Sequence, residues 1–91
     1  MEHIAKMRFR LSNHAKQELL RRDIPLSLVE AVLQSPQQVV PEEGGRMAYQ
    51  SQIEFHGKMF LLRVIVAQDV EPAVVVTVYR TSRIGKYWRT E

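Results

Sequence analysis

Apolar residues recur every fourth position from Leu11 to Leu19, which is typical of one face of an amphipathic helix. Ser12 is a good residue to cap the start of that helix, and Asn13 is a second candidate. The pattern therefore predicts a first helix over about residues 12–22.

A second apolar stripe follows a short break. Pro25 suits the first turn of a new helix because its missing N–H is not needed there. Val29 and Leu33 lie on one side of the segment, and Pro36 ends it by restricting the residue before it. We expect this second helix over about residues 25–34.

The rest of the chain is organised in strand-like runs. His56-Gly57 resembles a two-residue hairpin turn, in which Gly57 can adopt positive φ. Residues 41–45 read as a plain loop. We expect strands over about residues 7–11, 37–41, 46–55, 58–67 and 73–80, followed by a basic and aromatic tail over residues 81–91. The sequence thus predicts one α+β domain over residues 1–91, with two N-terminal helices packed on one face of a twisted antiparallel sheet.

Side-chain alternation divides the expected sheet into two faces. A turn at residues 56–57 places Gln50 opposite Arg63, and a second turn centred near Val70 places Thr77 opposite Arg63 as well. The apolar face, which should pack on the helices, then collects Ile53, Phe60, Leu62, Val64, Val66, Val74, Val76 and Val78. The other face is polar and collects Arg46, Gln50, Gln52, Glu54, Arg63 and Tyr79.

Arg63 is unusual because it lies in the middle of an apolar strand, between Leu61 and Ile65. One interpretation is a solvated arginine whose stem lies on an open sheet face. The other is an anion-binding arginine on a concave platform, a role that suits its planar and permanently charged guanidinium. The sequence leaves both interpretations open.

Composition narrows the possible chemistry. The 91 residues contain no cysteine, which excludes disulfides, thiolate metal sites and a cysteine nucleophile. The three histidines lack the spacing of a zinc motif, so we expect neither a metal nor a cofactor. No apolar run approaches the roughly 20 residues that span a bilayer, and the N-terminus lacks a signal-peptide core. We therefore expect a cytoplasmic protein without a membrane partner.

The net charge of +3 permits nucleic-acid binding without requiring it. The distribution is more informative, because basic residues concentrate near the C-terminus at Arg80, Arg83, Lys86 and Arg89. We expect Glu42 and Glu43 to lie in a loop, where they lack the partner groups that an acid–base pair needs.

Several segments resemble a known family when they are taken in order. Residues 12–15 (SNHA) and 22–24 (RDI) resemble the S-x-H-A … R-x-I opening of a family of small toxin-like proteins. That family lies within the superfamily of the RelE, HigB and YoeB toxins. Residues 61–64, 76–79 and 81–87 are similar to its sheet and tail.

The resemblance implies a RelE-like fold and a toxin of a type II toxin–antitoxin system. Such toxins are metal-independent endoribonucleases that cleave mRNA, often on the ribosome, and inhibit translation. The implied partners are RNA and a small antitoxin protein. Arg63, Arg80 and Tyr87 stand where better-studied members carry catalytic residues. The lysine pair of the superfamily is matched only by Lys58.

A ribonuclease of this kind uses the 2′-hydroxyl of RNA as its nucleophile. Arg63 and Arg80 are our candidates for stabilising phosphate charge, and Tyr87 for the acid or base. His14 is a further acid–base candidate in the first helical turn, unless it is a hydrogen-bonded core histidine. The expected RNA-binding residues are Arg46, Lys58, Arg83, Lys86 and Trp88.

Two other functions remain open from the sequence. The same fold can serve as a catalytically inactive module that binds RNA or protein, which the missing lysine favours. It can also serve as a structural partner that is stable only with another chain. In either case the tail can be a solvated C-terminus or an aromatic pair that closes the edge of the core.

Overall fold

The computed structural model describes residues 8–90, in which two helices pack on one face of a five-stranded sheet. The strand order is β1-β5-β4-β3-β2, antiparallel except for β1, which runs parallel to β5. The expected α+β layers are thereby confirmed. The elements are β1 Phe9–Leu11, α1 Asn13–Arg21, α2 Leu26–Gln34, β2 Gln38–Glu42, a 3-10 helix Glu43–Gly45, β3 Arg46–Phe55, β4 Lys58–Ala67, β5 Ala73–Thr81 and α3 Ile84–Tyr87.

Most of these bounds agree with the expected ones, and the differences lie at the ends. The segment expected as a plain loop contains the end of β2 and the 3-10 helix, while the expected tail begins with the end of β5 and includes α3. Met7 and Glu91, at the ends of the expected first strand and tail, lie outside the described residues. Within residues 8–90 no helix combines the length and apolar character that crossing a bilayer requires.

The β3–β4 hairpin has the expected register. Gln50 pairs with Arg63, and His56 and Gly57 form the two-residue turn. Both turn residues have positive φ, 54° and 77°, as a type I′ turn requires. This turn matches the right-handed twist of its strands, so it fixes which side chains of β3 and β4 share a face.

The expected register of β5 is wrong by one residue next to the turn and by two residues beyond a bulge in the strand. Ile65 pairs with Thr77 but Val66 pairs with Val75, which leaves Val76 as an extra residue. Arg63 therefore lies opposite Tyr79 and not opposite Thr77. The one-residue difference next to the turn places the fully buried Val75, in place of Val74 and Val76, in the helix-facing core, and the bulge returns Val78 to its expected face.

Ser12 connects the bulge to the start of α1. Its hydroxyl accepts a 3.0 Å hydrogen bond from the N–H of Ala15, which makes Ser12 the N-cap. The same hydroxyl donates to the carbonyl of Val76, and the Ser12 N–H donates to the carbonyl of Val75. One residue thus caps the helix and satisfies two carbonyls at the irregular part of β5.

The main core lies between the helices and the sheet. Its buried residues are Ala15, Leu19, Ile24, Val29, Val32, Tyr49, Leu62, Val64, Val66, Ala73, Val75 and Val78. A smaller apolar cluster lies on the opposite face, where Val40, Ala48 and Ile65 pack with Val76 and Tyr79. The face expected to be polar is therefore apolar at one end, next to Arg63.

Candidate functional site

Arg63 is a buried and fully engaged side chain on β4, with an exposed fraction of 2%. Its Nε donates to Oε1 of Gln50 at 2.8 Å, and its Nη1 donates to the hydroxyl of Tyr79 at 2.7 Å. The interpretation of Arg63 as a solvated arginine is wrong, because neighbouring strands and the C-terminal residues enclose it. The guanidinium is nevertheless a localised positive charge within the fold.

Glu42 supplies the opposite charge, and sequence reasoning missed it. Nη2 of Arg63 donates to Oε1 of Glu42 at 2.9 Å, and the Glu42 side chain keeps 32% of its surface exposed. Glu42 is the last residue of β2, where it pairs with Arg46. The signal in the sequence was that Glu42 lies opposite Arg46, which shares a sheet face with Arg63. Recognising this signal requires the register between β2 and β3.

Two tyrosines complete the group around Arg63. The ring of Tyr87 lies 4.2 Å from the guanidinium carbon and the ring of Tyr79 lies 5.9 Å from it. Burial raises the pKa of Tyr79, an effect that the hydrogen bond from Arg63 opposes. Arg63, Glu42, Tyr79 and Tyr87, together with Gln50, are called the Arg63 cluster below.

Side-chain amides hold the C-terminal segment, residues 84–89, over this cluster. Gln50 donates from Nε2 to the carbonyl of Tyr87 at 3.2 Å and to Oε1 of Gln38 at 2.8 Å. The amide of Gln38 in turn bonds both the N–H and the carbonyl of Arg89. No residue of α3 is buried, so polar contacts and the Tyr87–Arg63 stack position the segment.

Arg80 does not join the Arg63 cluster. It pairs with Leu62 in the β4–β5 ladder, so its side chain lies on the helix-facing side of the sheet. There its Nη1 donates to the carbonyl of Arg22, and its guanidinium carbon lies 3.8 Å from the ring centre of Phe55. The structure thus separates the two arginines that the sequence placed in one site.

Lys58 lies beside Arg80 and away from the Arg63 cluster. It opens β4 opposite Phe55, and its Nζ lies 5.5 Å from the ring centre of Phe60. His56, in the turn, contacts Phe55 edge-on at 4.3 Å between ring centres. The turn end of the β3–β4 hairpin is therefore both basic and aromatic on its helix-facing side.

His14 is exposed on α1, which packs on the sheet face opposite Arg63. The interpretation of His14 as a hydrogen-bonded core residue is wrong, because Ala15 and Leu19 take the buried positions of this helix. The structure does not bring His14 to the Arg63 cluster. Its proposed acid–base role stays a prediction.

The remaining candidates lie near the Arg63 side of the sheet. Arg46 is exposed at the start of β3. Arg83 and Lys86 are exposed around α3, and Lys86 Nζ lies 5.3 Å from the ring centre of Tyr87. Trp88 is half-buried. Over residues 8–90, no three His, Cys, Asp or Glu side chains meet as ligands for a metal ion.

A family model described as a domain of unknown function, DUF4258, matches residues 11–80. The match extends over most of the 91 residues. The chain belongs to the DUF4258 family. No curated protein and no solved structure matches it.

The DUF4258 segment contains Glu42, Arg63 and Tyr79 but ends before Tyr87. It runs from the end of β1 through nearly all of β5. The family model therefore covers the buried charge pair, whereas the C-terminal segment that encloses the pair lies beyond the match.

Within the DUF4258 segment, the two short motifs of the sequence have mostly structural roles. Ser12 caps α1 and Ala15 is fully buried. In the second motif, Arg22 pairs with Glu18 and Ile24 is buried in the core. His14 is the exception, since none of its side-chain atoms bonds to another residue among those described.

Proposed function

We propose that this protein is a toxin-like, RNA-directed protein that cleaves RNA without a metal ion. The observation that carries the proposal is the Arg63 cluster, which brings a cation, a partly exposed carboxylate and two phenols together on one sheet face. The resemblance to RelE-like toxins supports the choice of RNA as substrate. Cleavage of mRNA in the cytoplasm then inhibits translation.

The reaction proposed for the Arg63 cluster is a transesterification within RNA. The Glu42 carboxylate takes the proton of a 2′-hydroxyl, whose oxygen attacks the adjacent phosphorus. Arg63 stabilises the charge that develops on the phosphoryl oxygens. The 5′-oxygen leaves with a proton from the Tyr87 hydroxyl, and the products are a 2′,3′-cyclic phosphate and a 5′-hydroxyl.

Access to the Arg63 guanidinium requires movement of the C-terminal segment. The ring of Tyr87 lies over the guanidinium and Arg63 is 2% exposed. The segment has no buried residue in α3, and elements with few buried apolar contacts open at low free-energy cost. A phosphate therefore reaches Arg63 when residues 84–89 lift from the sheet, and the segment then closes again to bring the Tyr87 hydroxyl to the leaving 5′-oxygen.

The test compares two neighbouring acids of equal charge. We expect Glu42→Gln to lower RNA cleavage by about 100-fold or more, because the amide accepts from Arg63 but takes no proton. Glu43→Gln, at an exposed position next to it, should cleave like the wild type. Growth, bulk translation and cut sites on RNA are measured after induction at equal protein levels, and equal arrest by both variants contradicts the proposal.

A non-catalytic RNA- or protein-binding module is the second candidate function. The observation that favours it is the engagement of Arg63 by three hydrogen bonds within the fold, which suits a structural charge. Cleavage by the wild type and by Glu42→Gln separates the two functions. A catalyst cleaves RNA as the wild type, and its Glu42→Gln variant cleaves less while it keeps its RNA affinity. A binder gives no cut RNA even as the wild type.

The proposal includes a small antitoxin as the partner protein. Arg83 and Lys86 expose basic side chains around α3, so a partner segment with acidic and apolar residues would cover this surface. The test is co-expression with the product of a neighbouring reading frame, followed by purification and a growth assay. A complex that blocks arrest without contacting Arg83, Lys86 or Tyr87 contradicts this part of the proposal.

A further inference from the structure

Arg80 is a half-buried arginine that has no carboxylate partner among the residues that the structure describes. Among residues 8–90 the ion pairs join Glu18 to Arg21 and Arg22, and Glu42 to Arg63. Arg80 instead donates from Nη1 to a backbone carbonyl and lies against Phe55. These contacts orient the guanidinium, and no described carboxylate neutralises its charge, so Arg80 is suited to bind an anion from outside the chain.

The single acid of the neighbouring helix α1, Glu18, does not compensate this charge. The carbonyl that holds Arg80 belongs to Arg22, at the end of α1. The side chain of Arg22 binds Glu18, which also binds Arg21. The one buried carboxylate of this helix is therefore occupied by two other arginines.

Aromatic rings alternate with cations around Arg80. The ring of Phe55 contacts Arg80 and also contacts His56 edge-on at 4.3 Å. The ring of Phe60 lies 5.8 Å from the Arg80 guanidinium and 5.5 Å from the Nζ of Lys58. Both phenylalanines are half-buried and both His56 and Lys58 are exposed, so a ligand can reach this group.

We propose that Arg80, Lys58, Phe55 and Phe60 form a binding site for single-stranded RNA at the turn end of the β3–β4 hairpin. Arg80 and Lys58 contact phosphate, and the phenylalanine rings stack a base, since every base has a face for stacking. The site lies on the sheet face opposite the Arg63 cluster. The RNA ligand rests on the function proposed above, but the site does not depend on cleavage.

The experiment measures binding of a fluorescent oligouridine of about 12 nucleotides by anisotropy at several salt concentrations. We expect Arg80→Gln to weaken binding roughly tenfold and to reduce the salt slope by about 0.7, the loss of one phosphate contact on a single strand. Arg10→Gln removes the same charge from exposed β1 and should change affinity by less than about twofold.

Two further variants keep the test decisive. Lys58 is exposed, so Lys58→Gln preserves the fold and should weaken binding about threefold even if Arg80→Gln fails to fold. Phe60→Leu should weaken binding roughly fivefold with an unchanged salt slope, because stacking involves no phosphate. Thermal melting of each variant verifies folding.

The possible results distinguish failure of this RNA-binding site from failure of the proposed RNA-directed function. If wild-type protein binds the RNA but Lys58→Gln and Phe60→Leu bind equally well, the site is overturned and the RNA-directed function stands. Equal losses in Arg80→Gln and Arg10→Gln also overturn the site, since bulk charge then explains binding. If the wild type binds no RNA, the RNA-directed function itself fails. If the wild type binds RNA, loses this binding in Arg80→Gln and cleaves no RNA, the result supports the site and contradicts the proposed ribonuclease activity.

Discussion

Arg63 and Arg80 lie on adjacent strands but project from opposite faces of the sheet. Arg63 pairs with Tyr79 and is neutralised by Glu42, whereas Arg80 pairs with Leu62 and has no carboxylate among the described residues. The two arginines therefore cannot bind one phosphate group together. The chain thus places an ion-paired, buried arginine on one face of the sheet and a half-buried arginine without a carboxylate among the described residues on the other.

The Arg63–Glu42 pair should contribute strongly to stability. Removing the partly exposed Glu42 carboxylate leaves the charge of the buried Arg63 guanidinium uncompensated. We expect Glu42→Ala to lower the free energy of unfolding by about 2–3 kcal/mol, and Glu42→Gln by about 1 kcal/mol because its amide oxygen still accepts from Arg63. Glu43→Ala, at an exposed position, should stay within about 0.5 kcal/mol. Urea denaturation measures all three, and equal values for both alanine variants would show that the pair is not stabilising.

The sequence predicted the β3–β4 hairpin fully because local turn chemistry determines its register. His56-Gly57 can form the tight turn without help from the rest of the fold, and Gln50 then falls opposite Arg63. Side chains alternate along a strand, so residues two apart share a face. Val78 was expected on the helix-facing side, and Arg80, two residues later, belongs to that side as well. The alternation of β5 thus argues against one site that contains both Arg63 and Arg80.

Contacts between distant segments could not be read from the sequence. The bulge at Val76 depends on Ser12, which lies 64 residues away and bonds its carbonyl. The enclosure of Arg63 depends on Glu42, at the end of an edge strand, and on a four-residue helix that is too short to give a periodic pattern. In each case tertiary contacts decide the structure and local propensity does not.

Ser12→Ala should destabilise the protein through two losses at once. The helix loses its N-cap, which costs about 1 kcal/mol, and the carbonyl of Val76 loses its donor. We expect a fall of about 2 kcal/mol in the free energy of unfolding. Asn13→Ala tests the neighbouring residue, which is exposed and lies inside the helix, and should change stability by less than about 0.5 kcal/mol. Equal effects of the two substitutions in thermal melts are incompatible with Ser12 as the cap.

Glu18 should make stability depend on pH in the acid range. Hydrogen bonds from Arg22 and Arg21 lower the pKa of Glu18 from 4.5 to about 2. A lowered pKa means that the folded protein holds this carboxylate in its ionised form more strongly than the unfolded chain does. The contribution of Glu18 is therefore fully present above pH 4.5 and is lost as the pH falls toward about 2.

The Glu18→Gln variant isolates this effect. We expect wild-type protein to lose its stability advantage over Glu18→Gln as the pH falls from about 5 to about 2.5, because the glutamine does not titrate. Urea denaturation at each pH gives the difference in the free energy of unfolding. Glu30→Gln, at an exposed position on α2, serves as the charge-matched control. A difference between wild type and Glu18→Gln that stays constant over this range contradicts the lowered pKa.

Gln38→Ala should release the C-terminal segment from the sheet. The amide of Gln38 bonds both backbone groups of Arg89 and accepts from Gln50, and a four-residue helix has little stability of its own. Trp88 is the single tryptophan, so its emission should shift to the red and its quenching by acrylamide should increase. Gln17→Ala, at an exposed position on α1, should leave both signals unchanged. Because Tyr87 lies in this segment and is the proposed acid, its release should also lower RNA cleavage. An unchanged Trp88 signal would show that Gln38 does not hold the segment.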